Sequence, residues 1–80
     1  MTEQQKALII KRIEALNKST DAWLENIKKA KSDTTRNHCE YVLKMFACEK
    51  NGIQFTLNVI GYEWDYNPDG SIFIREKEED

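Results

Sequence analysis

The stretch "GYEWDYNPDGSIFIRE", residues 61–76, places four aromatic residues around the clearest turn in the chain. Asn67-Pro68-Asp69-Gly70 has the signature of a type I turn, with Pro68 fixed near φ −65° and Gly70 supplying a left-handed bulge. Pro68, Asp69 and Gly70 then form a three-residue loop closed by Asn67 and Ser71. The register follows: Tyr66 faces Ile72, Asp65 faces Phe73, Trp64 faces Ile74, and Glu63 faces Arg75. Side chains alternate between the two faces of a strand. One face therefore collects Tyr62, Trp64, Tyr66, Ile72 and Ile74, the set expected to pack on helices. The other collects Glu63, Asp65, Phe73 and Arg75. An aromatic ring on that charged face is a candidate contact.

Working outward toward the N-terminus, Ile53, Phe55, Leu57 and Val59 alternate with Gln54, Thr56 and Asn58, the period of a strand. Their odd parity clashes with the even parity of Tyr62 to Tyr66, so a bulge or a new strand is expected near Ile60-Gly61. The C-terminal strand is too short to pair with all of Ile53 to Tyr66. Either the chain forms a three-stranded meander, or residues 53–59 present an open edge that a second copy would cover.

Upstream the period is helical. Thr2 and Gln5 form a capping-box pattern, followed by Ile9, Ile10, Ile13 and Leu16 on one face. "NKST", residues 17–20, interrupts, with Ser19 or Thr20 placed to cap a second helix carrying Trp23, Leu24, Ile27 and Ala30. "KSDTT", residues 31–35, interrupts again. Asp33 or Thr34 then caps a third helix with Cys39, Val42, Leu43 and Phe46 in its stripe, ended near Lys50 by Asn51-Gly52. The expected fold is α+β: three N-terminal helices followed by a small antiparallel sheet of two or three strands that includes the C-terminal hairpin. It forms one domain over residues 1–80, with 76–80 a frayed acidic tail.

A composition 40% hydrophobic and 32% charged places the chain among folded globular domains and not among disordered ones. No apolar run approaches the ~20 residues of a membrane span, and the N-terminus lacks a signal peptide's apolar segment, so cytoplasmic residence is expected. Cys39 and Cys48, nine residues apart on one helix, fall on opposite faces and cannot bridge. Cys39 reads as a buried small apolar side chain and Cys48 as a free thiol.

Motifs for chemistry are missing. A single histidine beside Cys39 and Glu40 does not make a metal site, because helix neighbours point about 100° apart. The three glycines are isolated, so no phosphate loop exists. Neither metal, cofactor nor catalytic residues are expected. Charge is uneven: residues 1–50 carry ten Lys/Arg and seven Asp/Glu, residues 51–80 two and seven.

Two functions follow. The first is a small stand-alone protein-binding or regulatory module, such as an inhibitor, acting through surface complementarity, with Phe73, Arg75, Glu63 and Asp65 as its partner surface. Its partner is another protein, with a homodimer as a further option. The second rests on order alone. Helix two, "SDTT", a third helix containing Arg36, and a hairpin resemble a winged-helix layout. That resemblance implies backbone contacts to nucleic acid by Lys28, Lys29, Lys31 and Arg36. Glu63, Asp65 and Asp69 on the would-be wing would repel phosphate and disfavour this partner.

Overall fold

The computed structural model describes residues 1–78. Helix α1 spans Glu3–Lys29, helix α2 spans Asp33–Val59, strand β1 spans Tyr62–Tyr66 and strand β2 spans Ile72–Glu76. The α+β expectation holds, but two long helices stand where three were expected.

The Thr2/Gln5 capping box opens α1, and Thr2 Oγ1 accepts from the Gln5 N–H at 3.1 Å. The helix then passes through Asn17-Lys18-Ser19-Thr20 without a break. Such residues cost only a few tenths of a kcal/mol each in a helix interior, and tertiary packing overrides that readily. Thr20 does not cap; its hydroxyl donates back to the Leu16 carbonyl at 2.8 Å within the same helix. Asn17 reaches out of the helix to Tyr66 and Lys50. Ile13 and Leu16, in the turn just before the expected break, are both buried.

Ala30 adopts an extended conformation and ends α1. Ser32, one residue before the expected caps, accepts from the Thr35 N–H and starts α2, with Asp33 in its first turn where the helix dipole favours an acid.

Asn51-Gly52 does not end α2. Gly52 keeps a negative φ, and the left-handed glycines are Gly61 at φ 87° and Gly70 at φ 90°. Residues 53–59 are therefore helix, not strand. Their alternation misleads because four apolar residues at every second position split over two helical faces. Ile53 and Leu57 turn inward, while Phe55 and Val59, again one turn apart, point to solvent. Gly61 lies just past the C-cap Ile60 and donates its N–H to the Asn58 carbonyl at 3.2 Å, closing the helix. Since no strand precedes it, the parity conflict and the open apolar edge both disappear.

The hairpin register is the one derived from the turn, from Glu63↔Arg75 to Tyr66↔Ile72. Asn67 N–H donates to the Ser71 carbonyl at 2.7 Å and Gly70 N–H to the Asn67 carbonyl at 2.9 Å, closing the loop. Strand β2 continues through Glu76, and Lys77 N–H still donates to the Gly61 carbonyl at 2.9 Å. Of the expected acidic tail, Glu79 and Asp80 lie outside the described residues.

The two helices run antiparallel, and the hairpin lies across the end where α1 begins and α2 finishes. Ile72 and Ile74 are buried there together with Ile13, Leu16 and Leu57. The other end is a bare two-helix stalk around Cys39, where Trp23 meets His38 edge-on at 5.8 Å. The molecule measures 47 × 23 × 22 Å.

Candidate functional site: the hairpin face and the outer face of helix α2

The sheet attaches to the helices by its aromatic face, as the register predicts. Tyr62 and Trp64 are half-buried, and Lys6 Nζ stands 5.9 Å from the centre of the Tyr62 ring. Tyr66 is exposed, but its hydroxyl accepts from Asn17 Nδ2 at 3.1 Å.

Gln54 makes the closest join. In a two-stranded sheet Trp64, opposite Ile74, sits at a position where its N–H and C=O point away from the partner strand. Gln54 Oε1 accepts the Trp64 N–H at 3.0 Å, and Gln54 Nε2 donates to the Trp64 carbonyl at 2.9 Å. A side-chain amide from α2 thus occupies the place a third strand would take. The indole N–H of Trp64 is buried without an acceptor.

Glu63, Asp65, Phe73 and Arg75 are brought together on the outward face. Arg75 Nε donates to Glu63 Oε1 at 2.8 Å, and the guanidinium carbon lies 5.4 Å from the centre of the Phe73 ring. The hydrogen bond to Glu63 raises the Arg75 pKa, with a smaller Coulomb contribution from the same carboxylate. Phe73 is half-buried, covered in part by its own neighbour. This face is internally satisfied.

Lys28, Lys29, Lys31 and Arg36 gather at the turn between the helices. Lys28 pairs with Glu25 at 3.1 Å and Arg36 with Asp33 at 3.2 Å. Among the described residues two helices stand where the winged-helix layout has three.

Among the described residues, no three His, Cys, Asp or Glu side chains stand together as metal ligands, and no helix is long and apolar enough to cross a membrane. Cys39 is buried and Cys48 exposed, both as free thiols.

An exposed apolar surface on α2 was not anticipated. Tyr41, Met45, Phe55 and Val59 of α2 are 63%, 53%, 69% and 70% exposed, and Leu8 of α1 is 64% exposed. With Cys48 and Gly52, also exposed, the α2 residues form one stripe down the helix, turned away from the buried Cys39 and Leu57. Beside it runs a groove of about 570 Å³ lined by Leu8, Ile9, Gly52, Ile53, Thr56 and Leu57. At its rim Arg12 of α1 grips Glu49 of α2 through two hydrogen bonds of 2.6 and 2.8 Å. The hydrogen bond from Arg12 holds the Glu49 carboxyl below its ordinary pKa. The period-two reading of residues 53–59 hid this surface, because it placed Phe55 on a strand beside Ile53 and Leu57. A helical projection carried past Gly52 would have found it.

No protein-family model matches the chain, nor does any curated protein or any solved structure.

Proposed function

We infer that the chain is a protein-interaction module, regulatory in effect, that works by surface complementarity and not by chemistry of its own. The observation that carries this reading is the exposed apolar stripe of α2. Soluble monomers seldom leave contiguous large apolar side chains in water, and when they do the patch commonly marks a contact with another protein. Aromatic and methionine side chains are also the types enriched at such contacts. The charged face of Glu63, Asp65, Phe73 and Arg75 serves as a secondary, polar contact. Its paired charges favour selectivity over affinity.

Immobilised wild-type protein, a Phe55→Glu variant and a Phe73→Ala variant test the reading by quantitative capture from the native host's lysate. The expected result is a stoichiometric protein partner held by wild type, lost with Phe55→Glu and weakened with Phe73→Ala. The Phe55→Glu circular dichroism melt should stay close to that of the wild type, since exposed substitutions shift stability by about 0.5 kcal/mol, and half-buried Phe73→Ala should cost no more than about 1 kcal/mol. Capture that survives Phe55→Glu unchanged overturns the assignment of the surface.

A further inference from the structure

The stripe Tyr41, Met45, Cys48, Gly52, Phe55, Val59 is spaced four, three, four, three, four. This is the spacing of a coiled-coil seam, and it continues for about 27 Å of helix. It also reads the same from either end. Two copies of α2 laid antiparallel about a two-fold axis near Lys50 bring Tyr41 level with the second copy's Val59, Met45 level with its Phe55, and Cys48 level with its Gly52. Each layer then sets one larger side chain against one smaller or more pliable one, which is how facing positions interdigitate. We propose that the partner of this face is a second copy of the chain, docked through an antiparallel pairing of α2 with α2. The proposal rests on the interaction reading above and names its occupant.

Three independent observations favour a second copy. The first is area. The chain exposes 6151 Å², whereas a compact monomer of its mass exposes about 5,000 Å². The excess, roughly 1,100 Å², is spread over an elongated molecule, and it leaves surface on the scale of the ~800 Å² that each partner contributes to a standard interface. The second is Gly52. It lies in mid-helix with a negative φ, and a Cβ built on it meets nothing within 4 Å. A glycine there weakens the helix relative to alanine, and nothing in the isolated chain requires it. At the seam's waist, opposite Cys48 and beside the groove, it lets a second backbone come close. The third is charge. The positions flanking the seam are Lys44, Asn51 and Asn58 on one side and Val42, Glu49 and Thr56 on the other. Two copies of Glu49 would meet near the axis, but each carboxylate is already held by its own Arg12. No unpaired like charges face one another across a two-fold contact. This contact differs from the edge-to-edge strand pairing that the sequence suggested, since residues 53–59 are helical.

Sedimentation equilibrium from about 5 µM to about 0.5 mM gives the mass and covers reversible association in the micromolar to sub-millimolar range. A reversible dimer is expected, weakened at least about 100-fold in Phe55→Glu, which would place a charge in the seam. Gly52→Ala should raise the melting temperature of the dilute monomer by about 2–8 °C while weakening the dimer. A purely structural glycine would not split those two readouts. Orientation is read by oxidation in a Cys48→Ser background. Met45→Cys mixed with Phe55→Cys should form a disulfide-linked dimer, and neither alone should, because like positions lie about 15 Å apart along the axis. Monomeric mass throughout the range overturns the proposal. If capture from lysate remains sensitive to Phe55→Glu in that case, the interaction reading stands with a different partner. Cross-linking of Met45→Cys with itself refutes the antiparallel arrangement.

Discussion

Replacing Gln54 by alanine removes both hydrogen bonds that hold the free edge of β1 to α2. The distances, 2.9 and 3.0 Å, are those of well-formed bonds, and both sites are partly buried. Each such bond contributes about 0.5–1.5 kcal/mol net. Trp64 is only half-buried, so water partly replaces the amide, and the combined loss should be about 2 kcal/mol. In a domain of this size that corresponds to a fall in melting temperature of about 8–16 °C. Thermal unfolding followed by circular dichroism at neutral pH measures it. A Gln54→Glu variant sharpens the test. A carboxylate accepts the Trp64 N–H but repels the Trp64 carbonyl; the protonated acid can donate to it. The folded state therefore raises that group's pKa above its unfolded value, near 4.3. The variant should approach wild-type stability below that pH and lose it as pH rises through the folded-state pKa. A Gln54→Ala melt within 2 °C of wild type would refute the idea that this amide stands in for a strand.

Two further outcomes are expected. Asp69 has its pKa lowered, chiefly because its carboxylate accepts from the Ser71 hydroxyl and N–H; a depressed acid contributes stability above its unfolded pKa of about 3.9 and loses it as pH falls through the folded value, so Asp69→Asn should lessen the wild type's acid-limb loss in pH-dependent melts. Trp64→Ala should destabilise by about 2–3 kcal/mol, less than for a fully enclosed indole, while Phe73→Ala should cost no more than about 1 kcal/mol; reversed costs in chemical denaturation would mean that the charged face is the packed one.

The hairpin was legible in full because its determinants are local. Pro68 fixes one dihedral, Gly70 takes the left-handed one, and every cross-strand pair follows from the loop length. The helix start at Thr2 was legible for the same reason. The breaks were not, because the signals at residues 17–20 and 51–52 are weak propensities that distant groups outvote. Asn17 is held by Lys50 and Tyr66, and the last turns of α2 are held by Gln54 on β1 and by buried Leu57. One clue was present all the same. The parity conflict between residues 53–59 and Tyr62 to Tyr66 pointed to a bulge or a new strand, yet it disappears once the first segment is a helix. The apolar α2 face went unseen for the same reason: its two halves were assigned to different secondary structures. The charged face of Glu63 and Arg75 was read correctly as geometry, but the sequence could not show that Arg75 would cover Phe73 itself.

The bare stalk beyond the hairpin has a consequence for how the molecule travels through solution. A compact chain of 80 residues has a radius of gyration of about 12 Å. This one has 15.2 Å, the figure for a compact chain of about 160 residues. A single copy should therefore elute from a sizing column, calibrated with globular standards, well ahead of its mass, close to the position of a globular dimer. An antiparallel pair aligned along α2 would add girth more than length, so its elution would shift less than a doubling of mass suggests. Elution volume alone would confuse the two species, whereas the ratio of sedimentation to diffusion coefficient separates them, since friction cancels and mass remains.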